Sequence, residues 1–336
     1  MYKRFAVLLF CLTCCVPNKK QDPSVLKVFS KPMELKLVGP FALLNGSENI
    51  EKKRQNSDSW QTGELTLQSG STLPVSLKIR GNSSIDECTF RKLKLKWDKA
   101  SSEMNPLGVE SNRLKIGTHC QKVAGPTKVL GNELSTLREN FLLQLYALIS
   151  DVSLKSAAAQ IKYVETLDKK ELGSFFALLK EDEEEFALRK NLSSVTPEES
   201  SKIEHYSQAS LASLILFQSL AGNTDWRIAG LGGEPFGPPG AWNIEVYRNA
   251  SSENGTKGLV GVPSDLDLAR TITALDNTAL RPSHWIGKPL SDLSIQSSAV
   301  FSMEMLLRNL NSMPAEAILQ AISNFRAIEL GDSATF

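Results

Sequence analysis

The chain has 336 residues, 41% hydrophobic and 22% charged, and its 38 Lys and Arg against 37 Asp and Glu leave a net charge of +1. Such a composition is that of a globular protein with one large domain or two lobes. It excludes a nucleic-acid binder held by bulk charge, and past the N-terminus no apolar run reaches the roughly 20 residues that span a bilayer.

Residues 1–15 read as an export signal: Lys3 and Arg4, then an apolar run from Phe5 to Cys15, then polar residues. The run is too short for a membrane span. The stretch Leu12 to Cys15, "LTCC", looks like a bacterial lipobox, with Cys15 as the lipidated residue and Cys14 where Gly, Ala or Ser is usual. Residues 16–25 then form a tether. The expectation is an exported protein of the bacterial cell envelope, held to the membrane by an N-terminal lipid anchor and facing the periplasm or the exterior. Apart from Cys15, the mature chain keeps Cys88 and Cys120. Two cysteines in an oxidising compartment invite a disulfide; the alternative is two separate buried thiols.

Residues 26–125 read as a β-rich lobe. Met33, Leu35 and Leu37 alternate with polar neighbours, as do Val75, Leu77 and Ile79, and Leu93, Leu95 and Trp97. Period-two patterning marks strands with one buried face. Residues 45–63 and 98–112 are polar and read as loops, and 114–117 as a short strand. His119 beside Cys120 reads as a packed or hydrogen-bonded histidine rather than a ligand, because none of the scattered histidines has a motif around it.

Residues 126–330 read as a mostly helical lobe. Leu134, Leu137, Phe141, Leu145 and Leu148 recur at helical spacing. "AAAQIKYVETLD" reads as a strand. The acidic run 181–185 reads as a solvated helix start, since acidic side chains favour a helix N-terminus. Thr196, Pro197 and Glu199 carry the signature of a capping box that opens a long helix, apolar nearly all round from Leu211 to Leu220. Two more helices are expected within residues 301–330. Strands followed by helices argue an α+β fold.

Asp225 follows the apolar helix, Asn243 sits in "AWNIEVYR", and Asp265 and Asp267 sit in "PSDLDLA". If "WNIEVYR" and "GLVGVPSDLD" pair as a hairpin, Asn243 approaches the two Asp residues. Hard oxygen ligands of this kind suit Mg²⁺ rather than zinc. Each residue also has a plainer reading. Asp225 could cap the turn after its helix, Trp226 and Trp242 could be core or lid, Glu139 could face solvent, and the Lys92, Lys94, Lys96 stripe could be a wet sheet face.

"RGNSS" at Arg80, the basic strand "RKLKLKW", "TLRENFLLQLYALISDVSLKSAAAQIKYVETLD", "GNTDW" at Gly222 and "VPSDLDLA" at Val262 together resemble the spore-coat protein H (CotH) kinase-like proteins. "CTF" at Cys88 and "LKIGTHC" at Leu114 are similar to motifs of that family's exported bacterial relatives. The resemblance covers roughly residues 75–270. It implies an atypical protein-kinase-like two-lobed fold that transfers phosphate from ATP or another donor to a protein or other hydroxyl acceptor, with Mg²⁺. On the matching positions it implies Asp225 as catalytic Asp, Asn243 as metal Asn, and Asp265 or Asp267 as metal Asp. Glu139 in "LRENF" is the implied lysine partner, and Lys92, Lys94 and Lys115 are the candidates for the phosphate-binding lysine. The first lobe carries no Gly-rich phosphate loop. The alternative is a non-catalytic envelope lipoprotein, a binding or assembly module that reuses the fold.

Overall fold

The computed structural model describes residues 31–46, 59–81, 85, 88–123, 133–221, 223, 225–228, 231–232, 241–249 and 258–266. The signal, the tether, Cys15, Asp267 and the two helices expected within 301–330 lie outside these residues.

In chain order, the first part contains β1 (Met33–Gly39), α1 (Phe41–Asn45), β2 (Gln61–Thr66), β3 (Thr72–Ile79), β4 (Cys88–Phe90), β5 (Leu93–Lys96), β6 (Arg113–Gly117) and β7 (Cys120–Val123). Then come α2 (Glu133–Ile149), β8 (Ser156–Glu165), β9 (Glu171–Lys180), α3 (Glu183–Arg189), β10 (Leu192–Ser194), α4 (Pro197–Ser200) and α5 (Gln208–Leu220). The short strands β11 (Arg227–Ile228) and β12 (Leu231–Gly232) precede the hairpin of β13 (Ile244–Asn249) and β14 (Leu259–Pro263).

Seven strands close a barrel in the order β1-β2-β3-β5-β6-β9-β8. Neighbours are antiparallel except at the seam, where β1 runs parallel to β8 and Met33 lies opposite Ala159. The alternation read in the sequence points Leu37, Leu77 and Leu95 inward, and Leu65, Leu114 and Ile161 of the neighbouring strands join them, all buried, as a barrel interior requires. The β-rich part therefore does not end near residue 125. It takes β8 and β9 from the stretch expected to be mostly helical, and in the described residues beyond it strands stand beside a few helices. The result is an α+β protein built on a mixed seven-stranded barrel.

A second apolar core forms outside the barrel wall. It joins Leu142, Leu143 and Tyr146 of α2 to Leu214 and Phe217 of α5, to Trp226, and to Leu178 of β9. β9 thus serves both cores: Ala177 and Leu179 face the barrel interior while Leu178 faces outward. The end of β9 is therefore buried on both faces, so its sequence there reads as a continuous apolar run.

Two helices differ from their sequence patterns. The stripe Leu137, Phe141, Leu145, Leu148 is not the buried face of α2; Phe141 is 44% exposed. The buried face carries Thr136, Glu139, Asn140, Leu142, Leu143 and Tyr146 instead. Periodicity points only to apolar faces, and this one buries polar groups at its start. The long helix expected from Thr196 is broken. Its capping box forms as read, but α4 ends at Ser200. Tyr206 then makes a parallel bridge to Leu259, and the Ser207 amide donates to the Leu259 carbonyl at 2.9 Å. Backbone pairing to β14 replaces helix there, in a Ser-rich stretch of modest helix propensity. The apolar half survives as α5, buried as expected. Among the described residues no helix is long and apolar enough to cross a membrane.

Cys88 and Cys120 form the expected disulfide, tying β4 to β7. Beside it His119 is packed, its ring stacked 3.8 Å from that of Phe175. Neither ring nitrogen has a hydrogen-bond partner among the described residues, and burial pushes its pKa from 6.5 down to about 4.

Two outcomes are expected. Closing a loop across a sequence separation of 32 should stabilise the fold by roughly 3–4 kcal/mol. Urea titration of Cys88→Ala/Cys120→Ala should show that loss, and an unchanged midpoint would deny the bridge a structural role. Because His119 stays neutral in the fold but not in the unfolded chain, its contribution is complete above about pH 6.5 and declines as pH falls. The decline ends near pH 4, after about 3 kcal/mol. His119→Phe should flatten the stability profile between pH 7 and 4.

Candidate functional site

The outer wall of the barrel carries a cross-strand row of cations. Lys78 on β3 lies opposite Lys94 on β5, Lys94 opposite Lys115 on β6, and Lys115 opposite Lys180 on β9. Directly opposed residues share one face, and like charges there repel. The acidic run answers them. Lys94 Nζ lies 2.7 Å from Asp182 Oδ2, Lys115 pairs with Glu183 Oε2, and Lys180 Nζ lies 3.8 Å from Glu183 Oε1. Glu181 takes Arg189 through both oxygens, at 2.6 and 2.8 Å. The run does start a helix as read, with Glu183, Glu184 and Glu185 in the first turn of α3, but it is not solvated throughout: Glu184 is exposed, whereas Glu181 and Asp182 are both 1% exposed. The lysine stripe is not a wet sheet face either, since Lys92 and Lys94 side chains are only 15% and 19% exposed.

At the end of this row the chain gathers charges from five segments. Glu139 on α2, Lys180 at the end of β9, Lys92 before β5, Arg80 after β3 and Asp265 after β14 interact electrostatically. Lys92 Nζ lies 3.8 Å from Asp265 Oδ2, and the Lys180 ammonium donates to the Ser264 carbonyl. Glu139 is buried and does not face solvent. Burial first, then the Asp265 charge, raises the Glu139 pKa, while the nearby cations oppose the rise. Burial lowers the Lys180 pKa, and Arg80 adds to the fall. Lys115 is pushed down to about 7, by burial first and by Lys180 next.

The implied catalytic and metal residues form the other side. Asp225 does not cap the turn after α5; Asn223 does that work, its Oδ1 accepting from the Asp225 amide at 3.1 Å. The Asp225 carboxylate is held by two donors, Trp242 Nε1 at 3.0 Å and Asn243 Nδ2 at 2.8 Å. The same Nδ2 donates to the Asp225 carbonyl at 2.8 Å, so the Asn243 Oδ1 points away from Asp225. Asn243 has φ +55°, a left-handed conformation that Asn tolerates better than most residues. Burial raises the Asp225 pKa; Trp242 opposes the rise and the Asp265 charge adds to it. The β13–β14 hairpin forms as read, with Ile244 opposite Pro263, and the Ser264 amide donates to the Asn243 carbonyl at 3.1 Å. That hairpin is what brings Asp265 beside Asp225 and Asn243. Trp226 is core, whereas Trp242 belongs to the site.

Of the residues named from sequence, Asp225, Asn243, Asp265, Glu139 and Lys92 come together. Lys94 and Lys115 lie farther along the row, neutralised by Asp182 and Glu183. Lys180 was not among the candidates. Its signal was available: a lysine closing the apolar run "SFFALL" stands where a strand with both faces buried should end. As a cation site the donor set is partial. The described residues supply Asp225, Asp265 and Asn243 Oδ1, hard oxygens of the kind that suit Mg²⁺, but no group of three His, Cys, Asp or Glu that could hold a metal.

Comparison with protein-family models, curated proteins and solved structures finds no match, so the family resemblance rests on the sequence motifs alone.

The Asn243 linkage can be tested by stability. Asn243→Gly keeps the left-handed backbone but loses two hydrogen bonds, an expected cost of about 1–3 kcal/mol. Asn243→Val adds backbone strain of roughly 1–3 kcal/mol. Chemical denaturation should rank Val below Gly; equal losses would remove the strain argument.

Proposed function

We propose that this protein is an exported, Mg²⁺-dependent phosphotransferase of atypical kinase-like architecture, acting on a hydroxyl acceptor such as a protein side chain. The observation that carries the reading is the convergence of Glu139, Lys180, Lys92 and Arg80 on Asp265, beside the paired Asp225 and Asn243. On this reading the barrel is the first lobe, and the part built on α5 and the β13–β14 hairpin is the second. The signal and the lipidated Cys15 would hold the enzyme at the envelope.

Phosphoryl transfer asks for positioning and charge neutralisation more than for covalent chemistry. Lys and Arg side chains supply donors for phosphate oxygens. Asp225, with both oxygens oriented by Trp242 and Asn243, would orient the acceptor hydroxyl and take its proton. Its raised pKa, caused by burial, makes it a stronger base than an exposed carboxylate. Mg²⁺, with Asn243 and either Asp265 or Asp267 as its holders, would neutralise charge on the donor phosphates. Because ATP is scarce outside the cytoplasm, other phosphate donors belong in the same test.

The decisive experiment is thermal unfolding of the mature chain with Mg²⁺ and ATP, other nucleotides or pyrophosphate. Ligand at a hundred times its Kd should add about 2.7 kcal/mol, a rise of roughly 5 °C or more. Asp265→Asn should lose the shift. Asp225→Asn should keep it while lowering transfer to an acceptor by roughly 10²–10⁴-fold. A folded protein with no shift for any of these ligands leaves the non-catalytic lipoprotein as the better reading.

A further inference from the structure

We propose that Lys180 is the side chain that grips the donor phosphate, and that Glu183 is a competitor for that lysine built into the fold. The proposal rests on the phosphoryl-transfer reading and sharpens it.

Three lysines on the outer wall come near the gathered charges by strand pairing, and their carboxylate partners separate them. Lys94 Nζ is 2.7 Å from Asp182 Oδ2, and Asp182 is 1% exposed. This pair is closed off from the site. Lys115 is paired with Glu183 Oε2. Lys180 differs in its surroundings. Its ammonium donates to the neutral Ser264 carbonyl, next to Asp265, and feels Glu139 and Asp265 as its favourable charges. It is the member of the row that reaches the Asp265 side. Its stem is also the best fixed of the cations there. Lys180 ends β9, whose last four residues are all buried, and is itself 3% exposed. Lys92, by contrast, lies just before β5, and its side chain is 15% exposed. A phosphate beside Asp265, bridged by a cation between the two anions, would find the Lys180 ammonium already there.

Glu183 occupies the place of an anion on the same lysine. One oxygen pairs with Lys115, and the other lies 3.8 Å from Lys180. It spans two cations as a phosphate spans two donors. It also stands in the first turn of α3, so its position is set by a helix that the chain cannot easily withdraw. A phosphate oxygen at Lys180 therefore competes with Glu183 for the same charge. The fold keeps a buried lysine neutralised in this way, and gives up some phosphate affinity in doing so.

The test is calorimetric titration of the mature chain with magnesium pyrophosphate. Glu183→Gln, which keeps shape and removes charge, should bind roughly tenfold more tightly than the parent. Lys180→Gln should bind at least about tenfold more weakly, and Lys180→Arg should recover part of the loss. Melting curves check that each variant is folded. Should Lys180→Gln not fold, Lys180→Arg and Glu183→Gln carry the decision, because Glu183→Gln is expected to lose stability yet gain affinity. Unchanged or weaker binding by Glu183→Gln overturns the competitor. Parent-like binding by a folded Lys180→Gln overturns the lysine assignment and leaves phosphoryl transfer standing. No binding by the parent chain removes the phosphoryl-transfer reading and this inference together.

Discussion

Three lysines set side by side on adjacent strands are the constraint around which the molecule is arranged. Lys94, Lys115 and Lys180 occupy directly opposed positions on β5, β6 and β9. Left alone, such a row favours a different register or an exposed wall. Here it is largely covered, so it must be neutralised locally. α3 places its acidic residues there, where they also suit the helix N-terminus. The row thus explains why the chain turns back over the barrel directly after β9, with Glu181 to Glu185 as the turn.

The row does not stop where α3 stops. At Lys180 the counter-charges come from the other direction, from Glu139 on α2 and Asp265 after β14. These carboxylates belong to the second core, and their position depends on its packing. Tyr146 of α2 donates its hydroxyl to the Gly261 carbonyl of β14, so helix and hairpin are fixed to each other. Ser264 in turn bonds to Asn243, which holds Asp225. A chain of short links thus runs from the barrel wall to the Asp225 carboxylate. Buried charge of mixed sign, held by a packed apolar core on each side, is costly unless it is well paired. Its concentration at one junction is a reason to read function there.

Much of this was legible in the sequence, and what was not has a physical cause. Strands β1, β3 and β5 of the barrel followed from alternation at Leu35 and Leu37, at Leu77 and Ile79, and at Leu93 and Leu95, whereas β2 begins at Gln61 inside the stretch read as a loop. The disulfide followed from counting cysteines in a chain read as exported, and the hairpin that delivers Asp265 followed from its loop composition. β8 was read as a strand from "AAAQIKYVETLD", but its place in the barrel was not, because β9, which joins it to β6, ends in a stretch covered on both faces that has no alternation to show. The buried face of α2 was misplaced because an apolar stripe was the only guide, and the true face opens with Thr136, Glu139 and Asn140. At Lys180 the run "SFFALL" marked the end of a buried strand but not the partners that meet the lysine there. Burial of a charge is a tertiary property, decided by partners that lie far away in sequence.

The seam of the barrel has a consequence for how the chain reaches its native state. β2 and β3 form a local hairpin and can pair as soon as both exist. β1, the first strand, has one neighbour close at hand and the other only at β8, with Met33 waiting for Ala159. A chain that emerges from its N-terminus cannot close the cylinder until everything through β9 is present. Pairing over such a distance must overcome the closure entropy of the whole intervening loop before any contact repays it. Until then the inward leucines of β1 to β6 are open to solvent, and the edges of that partial sheet are unpaired. The cysteines lie within this waiting segment, so their bond can form before closure and would shorten the loop that the seam must still bridge.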